Sequence, residues 1–154
     1  MILRTTIKGI RLTFSIARVT KVIGVNSKLG DDTHILMWDF DDVPLEDVRS
    51  ALRVVQSRYL LSDILILRTN EPDNYVAYCF SSQLWRRAVE IIAATVRVDW
   101  QFLRFGIYRG HFTIRVTSKN GRIPYLVEML EGHTLPDCKP PDLESWVRYQ
   151  TLRR

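Results

Sequence analysis

The stretch His34-Ile35-Leu36-Met37-Trp38-Asp39-Phe40-Asp41-Asp42 decides how the rest of the chain is arranged. An apolar run ends in carboxylates at 39 and 41, and because strand side chains alternate faces with a period of two, Asp39 and Asp41 point the same way. Parallel carboxylates repel, and at the end of a buried strand they are costly unless a cation lies between them. The spacing therefore reads as half of a hard-metal site, with oxygen ligands suited to magnesium or manganese. A plainer reading stands beside it. Asp42 precedes Pro44 and a helical pattern, so one or two of these acids would only cap a helix N-terminus.

Downstream, Pro44 falls at a first helical position with Glu46 and Asp47 in the first turn, where negative charge complements the helix dipole. Leu45, Val48, Leu52, Val55 and Tyr59 recur at intervals of three and four, which predicts a helix with one apolar stripe. Ile64-Leu65-Ile66-Leu67 is a short apolar strand, Glu71-Pro72-Asp73-Asn74 reverses it, and residues 75–80 run back as a hairpin. Ser81 or Ser82 is placed to cap a second helix whose Leu84, Trp85, Ala88, Ile91 and Ile92 fall on one side. A strand over 111–117 is followed by Asn120-Gly121, a two-residue hairpin signal leading into 123–130.

Upstream, residues 2–25 favour strands broken at Gly9 and Gly24, with a helix over 16–22 as the alternative, and residues 26–33 form a turn. The order from residue 34 onward is that of a split βαβ unit, an antiparallel sheet with helices on one face. The expected class is thus α+β: a core over 34–130 with added N-terminal strands, a C-terminal hairpin, a Pro-containing linker over 131–142 and a helix over 143–154.

The 154 residues fit one domain, and 46% hydrophobic with 25% charged residues is the balance of an ordinary globular chain. Of 22 basic residues 17 are Arg, and the formal charge is +5. Guanidinium offers a planar fork of donors that suits phosphate. Cys79 and Cys138 lie far apart and suggest no disulfide framework, so a reducing cytoplasm is expected. No apolar run reaches the length of a membrane span, and Arg4, Lys8 and Arg11 interrupt any signal-like stretch near residue 1.

Other chemistry gathers around the carboxylate pair. Asp99 follows alternating Val96 and Val98, and at a strand end near Asp39 and Asp41 it would complete a triad able to hold two divalent ions, as phosphoryl transfer requires; as a surface turn residue it would do nothing of the kind. Arg68, Arg109, Arg115 and Lys119 are the basic residues positioned to meet a polyphosphate or a nucleic-acid backbone, or else to guard sheet edges. Trp100 and Tyr108, ahead of Tyr75, Tyr78 and Phe105, are the aromatic residues most suited to base stacking. His133 and Cys138 lack the partners of a zinc site, neither cysteine has a basic partner in view, and there is no Gly-x-Ser-x-Gly or phosphate-cradling glycine loop.

These residues together resemble the archaeo-eukaryotic primase superfamily, the primase-polymerases, and its minimal viral and plasmid members. The family's hydrophobic strand ending in Asp-x-Asp is matched by Trp38-Asp39-Phe40-Asp41, and its apolar-Asp motif by Val98-Asp99. Residues 110–119, with Phe112, Arg115 and Lys119, resemble the segment that follows, and the similarity spans about residues 34 to 120. Its small-x-His motif falls on Asn74-Tyr75-Val76, where Val76 replaces the nucleotide-binding His.

The resemblance implies a recognition-motif-like core. It also implies Asp39, Asp41 and Asp99 as catalytic metal ligands for two magnesium or manganese ions, with nucleoside triphosphates and a single-stranded DNA or RNA template as substrates. The setting would be DNA priming in a virus, plasmid or other mobile element, with a replication helicase as a possible partner. With Val76 unable to hydrogen-bond a triphosphate, Arg68, His111 or Lys119 would have to take over that contact. Two other readings use the same residues: a non-catalytic module that holds single strands by stacking and Arg contacts, and a metal-dependent nuclease with water as nucleophile.

Overall fold

A computed structural model describes residues 2–15, 19–30, 32–69, 72–117, 122–140 and 145–151. Its elements in chain order are β1 (Ile2–Ile7), β2 (Ile10–Ser15), β3 (Val19–Asn26), β4 (Thr33–Phe40), α1 (Leu45–Tyr59), β5 (Ile64–Arg68) and β6 (Tyr75–Leu84). They continue with α2 (Trp85–Ala93), α3 (Trp100–Arg109), β7 (Thr113–Arg115), β8 (Tyr125–Leu130) and β9 (Ser145–Thr151). The protein is α+β.

The stretch that carries the carboxylates is β4, and it lies at one edge of a four-stranded sheet ordered β4-β6-β5-β8. Every neighbouring pair in that sheet is antiparallel, so β4 and β5 run the same way with β6 between them. Helix α1 makes the crossover from β4 to β5 and leaves room for β6, which is the split βαβ arrangement. A second sheet, ordered β7-β3-β9, joins the first through Ser27: its N–H donates to the Phe112 carbonyl (2.9 Å), and its carbonyl accepts from Ile35 N–H (2.9 Å). Strands β1 and β2 form a separate hairpin whose turn residues Lys8 and Gly9 both have positive φ, 48° and 82°, as a tight two-residue turn requires.

Alternation along β4 sorts the main sheet into two faces. Leu36, Trp38 and Phe40 stand level with Cys79, Ala77 and Tyr75 of β6, and all six are fully buried. This face carries the helices. Trp38 Nε1 donates to Thr95 Oγ1 (2.8 Å) just beyond α2, and Arg49 of α1 holds Glu128 of β8 through Nε–Oε1 (2.7 Å) and Nη2–Oε2 (2.9 Å). That ion pair raises the pKa of Arg49 and lowers that of Glu128, in each case chiefly through the hydrogen bond between them. Within α1 the buried residues are Val48, Ala51, Leu52, Val55 and Gln56, so the apolar stripe has one polar member. Gln56 is buried with its amide satisfied, Nε2 donating to Ser62 O and Leu130 O (both 3.0 Å).

Several expected elements are corrected. Ser81 and Ser82 do not cap α2, because β6 runs on through them; Ser81 is instead buried, its hydroxyl accepting from Ser62 N–H (2.9 Å). The 111–117 and 123–130 strands do not pair as a hairpin. β7 joins β3 and β8 joins β5, which lets Ile114 and Leu130 bury in different layers; a local turn signal cannot outweigh that. The Asn120-Gly121 turn itself lies outside the described residues. The C-terminal segment is strand β9 rather than a helix, and it closes the edge of β3 by antiparallel pairing from Val19↔Thr151 to Val25↔Ser145. Trp146, Val147, Tyr149 and Thr151 are the β-branched and aromatic residues that favour this. Helix α3 was not expected at all. It is bracketed by Asp99, whose Oδ1 accepts from Phe102 N–H (2.5 Å), and by Gly110 at φ 73°.

Candidate functional site

On the outer face of the main sheet, opposite the helices, Asp39 stands level with Val76 and Val76 with Leu67. β7, from the second sheet, leans across this face, and between the two lies a hollow of about 180 Å³. Asp39, Asp41, Asn74 and Val76 line it from the main sheet and its adjoining turns, Thr113, Arg115 and Thr117 from β7 and the residues after it, and Arg122 from the approach to β8. The volume is smaller than that of a pocket enclosing a whole small molecule, about 300 Å³ or more, so it suits the phosphate end of a ligand whose remainder lies outside.

The polar groups are held in place locally. Asn74 Oδ1 accepts from Asp42 N–H (2.7 Å), which fixes the turn after β4, where Asp42 has φ 56°. Arg115 Nε donates to Thr117 O (3.1 Å) and Thr117 Oγ1 (3.2 Å), so its guanidinium is anchored at one corner. Tyr78, on the same face one pair further along β6, has its phenol pKa pushed up, first by burial and then by the negative charge of Asp39. Its hydroxyl stays protonated beneath the carboxylates. The helix-capping reading of these acids does not hold: the N-cap of α1 is Pro44, one position before the helix, and no side chain caps it.

Asp39 also borders a second hollow of about 130 Å³, shared with Asp99, Gln101, Phe105 and Arg109. Asp99 is adjacent to β4, since its N–H donates to the Asp39 carbonyl (2.8 Å). Its carboxylate, however, is engaged in capping α3, so it stands at a helix start and not at the strand end expected of it. Among the described residues no group of three His, Cys, Asp or Glu side chains is assembled to hold a metal ion. The carboxylate pair Asp39 and Asp41 is the hard-oxygen donor set that the outer hollow offers.

Other expected residues are drawn away from this site. Arg68 pairs with Tyr75, and both therefore belong to the helix face; Arg68 Nη2 donates to Tyr75 Oη (2.6 Å), and the guanidinium lies 5.3 Å from that ring. Its position next to Leu67 in sequence puts it on the wrong side of the sheet for the phosphate role. Tyr75 and Tyr78 are buried and present no stacking surface. His111 lines neither hollow; it lies near His34, whose pKa is lowered by burial and then by the charges of Lys28 and His111. Lys119 is outside the described residues. Arg109 lines the second hollow, donating to Thr113 Oγ1 (3.2 Å) across the Phe105 ring at 5.6 Å. Trp100 and Tyr108 are on the surface of α3.

Sequence reasoning missed Arg122, Asn74 and Thr117 as lining residues, since each arrives through a turn whose course is set by tertiary pairing. Compared with known proteins, the chain matches no family model, no curated protein and no solved structure. Among the described residues no helix is long and apolar enough to cross a membrane.

Proposed function

We propose that this protein is a nucleotidyl transferase of primase-polymerase type, which binds a nucleoside triphosphate and a single-stranded template at the outer hollow. The observation that carries the reading is the convergence of Asp39 and Asp41 with Arg115 and Arg122 around one small polar hollow. Carboxylates next to arginines suit a ligand that brings both cations and anions, and a metal-bound polyphosphate is such a ligand. Asp39 and Asp41 would hold magnesium or manganese, which would supply neutralisation of phosphate charge and activation of a 3′-hydroxyl. Arg115 and Arg122 bind phosphate oxygens, and Arg115 is oriented for this by Thr117. Val76 forms an apolar floor where a hydrogen-bond donor would otherwise contact the triphosphate. The wider setting, replication of a virus, plasmid or other mobile element beside a helicase, rests on the resemblance alone.

The engagement of Asp99 as a helix cap favours a second reading, a recognition-motif-like module that binds single strands without chemistry. One experiment separates them. The protein is incubated with a single-stranded template, ribo- or deoxyribonucleoside triphosphates and manganese, and products are resolved by length. New strands that vanish in Asp39→Asn support the transferase; template binding with no product supports the module; a shortened template points to a nuclease.

A further inference from the structure

The surface of α3 is not used by the outer hollow, yet its composition is unusual for an exposed helix. Between residues 100 and 109 there is no acidic residue; of the carboxylates beside the helix, Asp99 is turned to its cap and Asp39 lies across the second hollow. Leu103 and Gly106 are the buried residues of α3, and Phe102 packs against the core beside them. The exposed residues are Ile107 and two adjacent rows with a spacing of four residues. One is Trp100, Arg104 and Tyr108, with Trp100 64% and Tyr108 88% exposed. The other is Gln101, Phe105 and Arg109, and this row lines the second hollow, whose far wall is Asp39.

Large aromatic rings that are this exposed gain nothing from the core and present flat faces to solvent. Arg104 is exposed and makes no ion pair among the described residues, and Arg97, just before the helix, is likewise exposed. We infer that α3 is the platform on which single-stranded nucleic acid lies, its bases stacking on Trp100 and Tyr108 and its phosphates meeting Arg104 and Arg109. Charge complementarity selects a polyanion, and the exposed ring faces select one with unpaired bases, because a duplex hides its base faces. The Gln101, Phe105 and Arg109 row then leads the strand toward Asp39, so the inference rests on the reading of that region as a nucleotidyl-transfer site and gives the template its path.

The test is fluorescence titration of a labelled single-stranded oligonucleotide at several salt concentrations, alongside the strand-synthesis assay. Trp100→Ala and Tyr108→Ala are each expected to weaken binding by about tenfold with little change in salt dependence, as loss of one stacked base predicts. Arg104→Gln is expected to weaken binding across all sequences and to reduce the log–log salt slope by about one. Phe14→Ala, an exposed aromatic on the separate β1-β2 hairpin, is the control and should leave affinity unchanged. If all three α3 variants bind like wild type while Asp39→Asn still abolishes synthesis, the platform is wrong and the transferase reading stands. If they lose binding while wild type makes no product, the platform stands without the chemistry. Absence of oligonucleotide binding by wild type at low salt overturns the platform outright.

Discussion

The two faces of the β4-β6-β5-β8 sheet are built from alternate residues of the same strands, yet they have opposite characters. Toward the helices, Leu36, Trp38, Phe40, Tyr75, Ala77 and Cys79 are wholly excluded from solvent, and buried polar groups there are held by hydrogen bonds, as with Trp38 Nε1 on Thr95 and Gln56 on two carbonyls. On the other face the same strands begin apolar, with Ile35 and Met37 fully buried, and end in Asp39 and Asp41 beside arginines. A period of two lets one strand build the core on one side and line a polar hollow on the other, and substitutions a single residue apart should therefore have different consequences.

The largest expected effect lies on the helix face. Trp38→Ala removes a fully buried ring and leaves Thr95 with only the Ile91 carbonyl (3.0 Å), and it should cost about 3 to 5 kcal/mol by chemical denaturation. Gln56→Leu keeps about the same volume but takes the amide donor from the Ser62 and Leu130 carbonyls, so a loss of about 1 to 3 kcal/mol is expected in the same assay. On the outer face Val76→His puts a larger, polar ring at a position only 4% exposed, so a modest loss of stability is expected beside its effect on ligand. A donor at this position, level with Asp39, would make a charge-assisted bond to a triphosphate worth about 1.5 to 3 kcal/mol, or about one to two factors of ten in nucleotide affinity by calorimetry.

The smallest effect concerns the joint between the two sheets, where the His34 ring is hydrogen-bonded at Nδ1 to Ser27 Oγ (2.9 Å) and Ser27 Oγ also accepts from Phe112 N–H (3.0 Å). Burial keeps the pKa of His34 below the ordinary imidazole value. The unfolded chain then binds a proton that the folded one refuses, so this contribution is fully present above about pH 6.5 and is lost as pH falls toward the folded value. His34→Gln should flatten the pH dependence of stability in that window, and an unchanged slope would assign it to another group.

The class of fold and the sharing of a face by Asp39, Asp41 and Val76 were legible because both follow from periodicity within single elements. What the sequence hid depended on distant partners. The choice of β8 by β5 and of β7 by β3 is made by burial of Leu130 and Ile114, and neither can be read near the turn that separates them. Arg68 stands opposite the Tyr75 run, as the sequence suggests, but that same pairing puts it on the face away from Asp39 and Val76 and so out of reach of a phosphate there. Helix α3 was overlooked although its brackets, Asp99 and Gly110, were in view; the alternation of Val96 and Val98 suggested a strand that does not form.

The central claim is that Asp39 and Asp41 act as the metal-holding pair, while Asp99 serves the helix it begins. Manganese binding, measured by calorimetry in the presence of a nucleoside triphosphate, separates these roles, because Asn caps a helix about as well as Asp but is a poor ligand for a hard cation. Asp39→Asn and Asp41→Asn should each weaken manganese binding by about tenfold or more, as loss of a charged oxygen ligand implies, while Asp99→Asn binds as wild type does. Wild-type affinity in Asp39→Asn and Asp41→Asn would contradict the account.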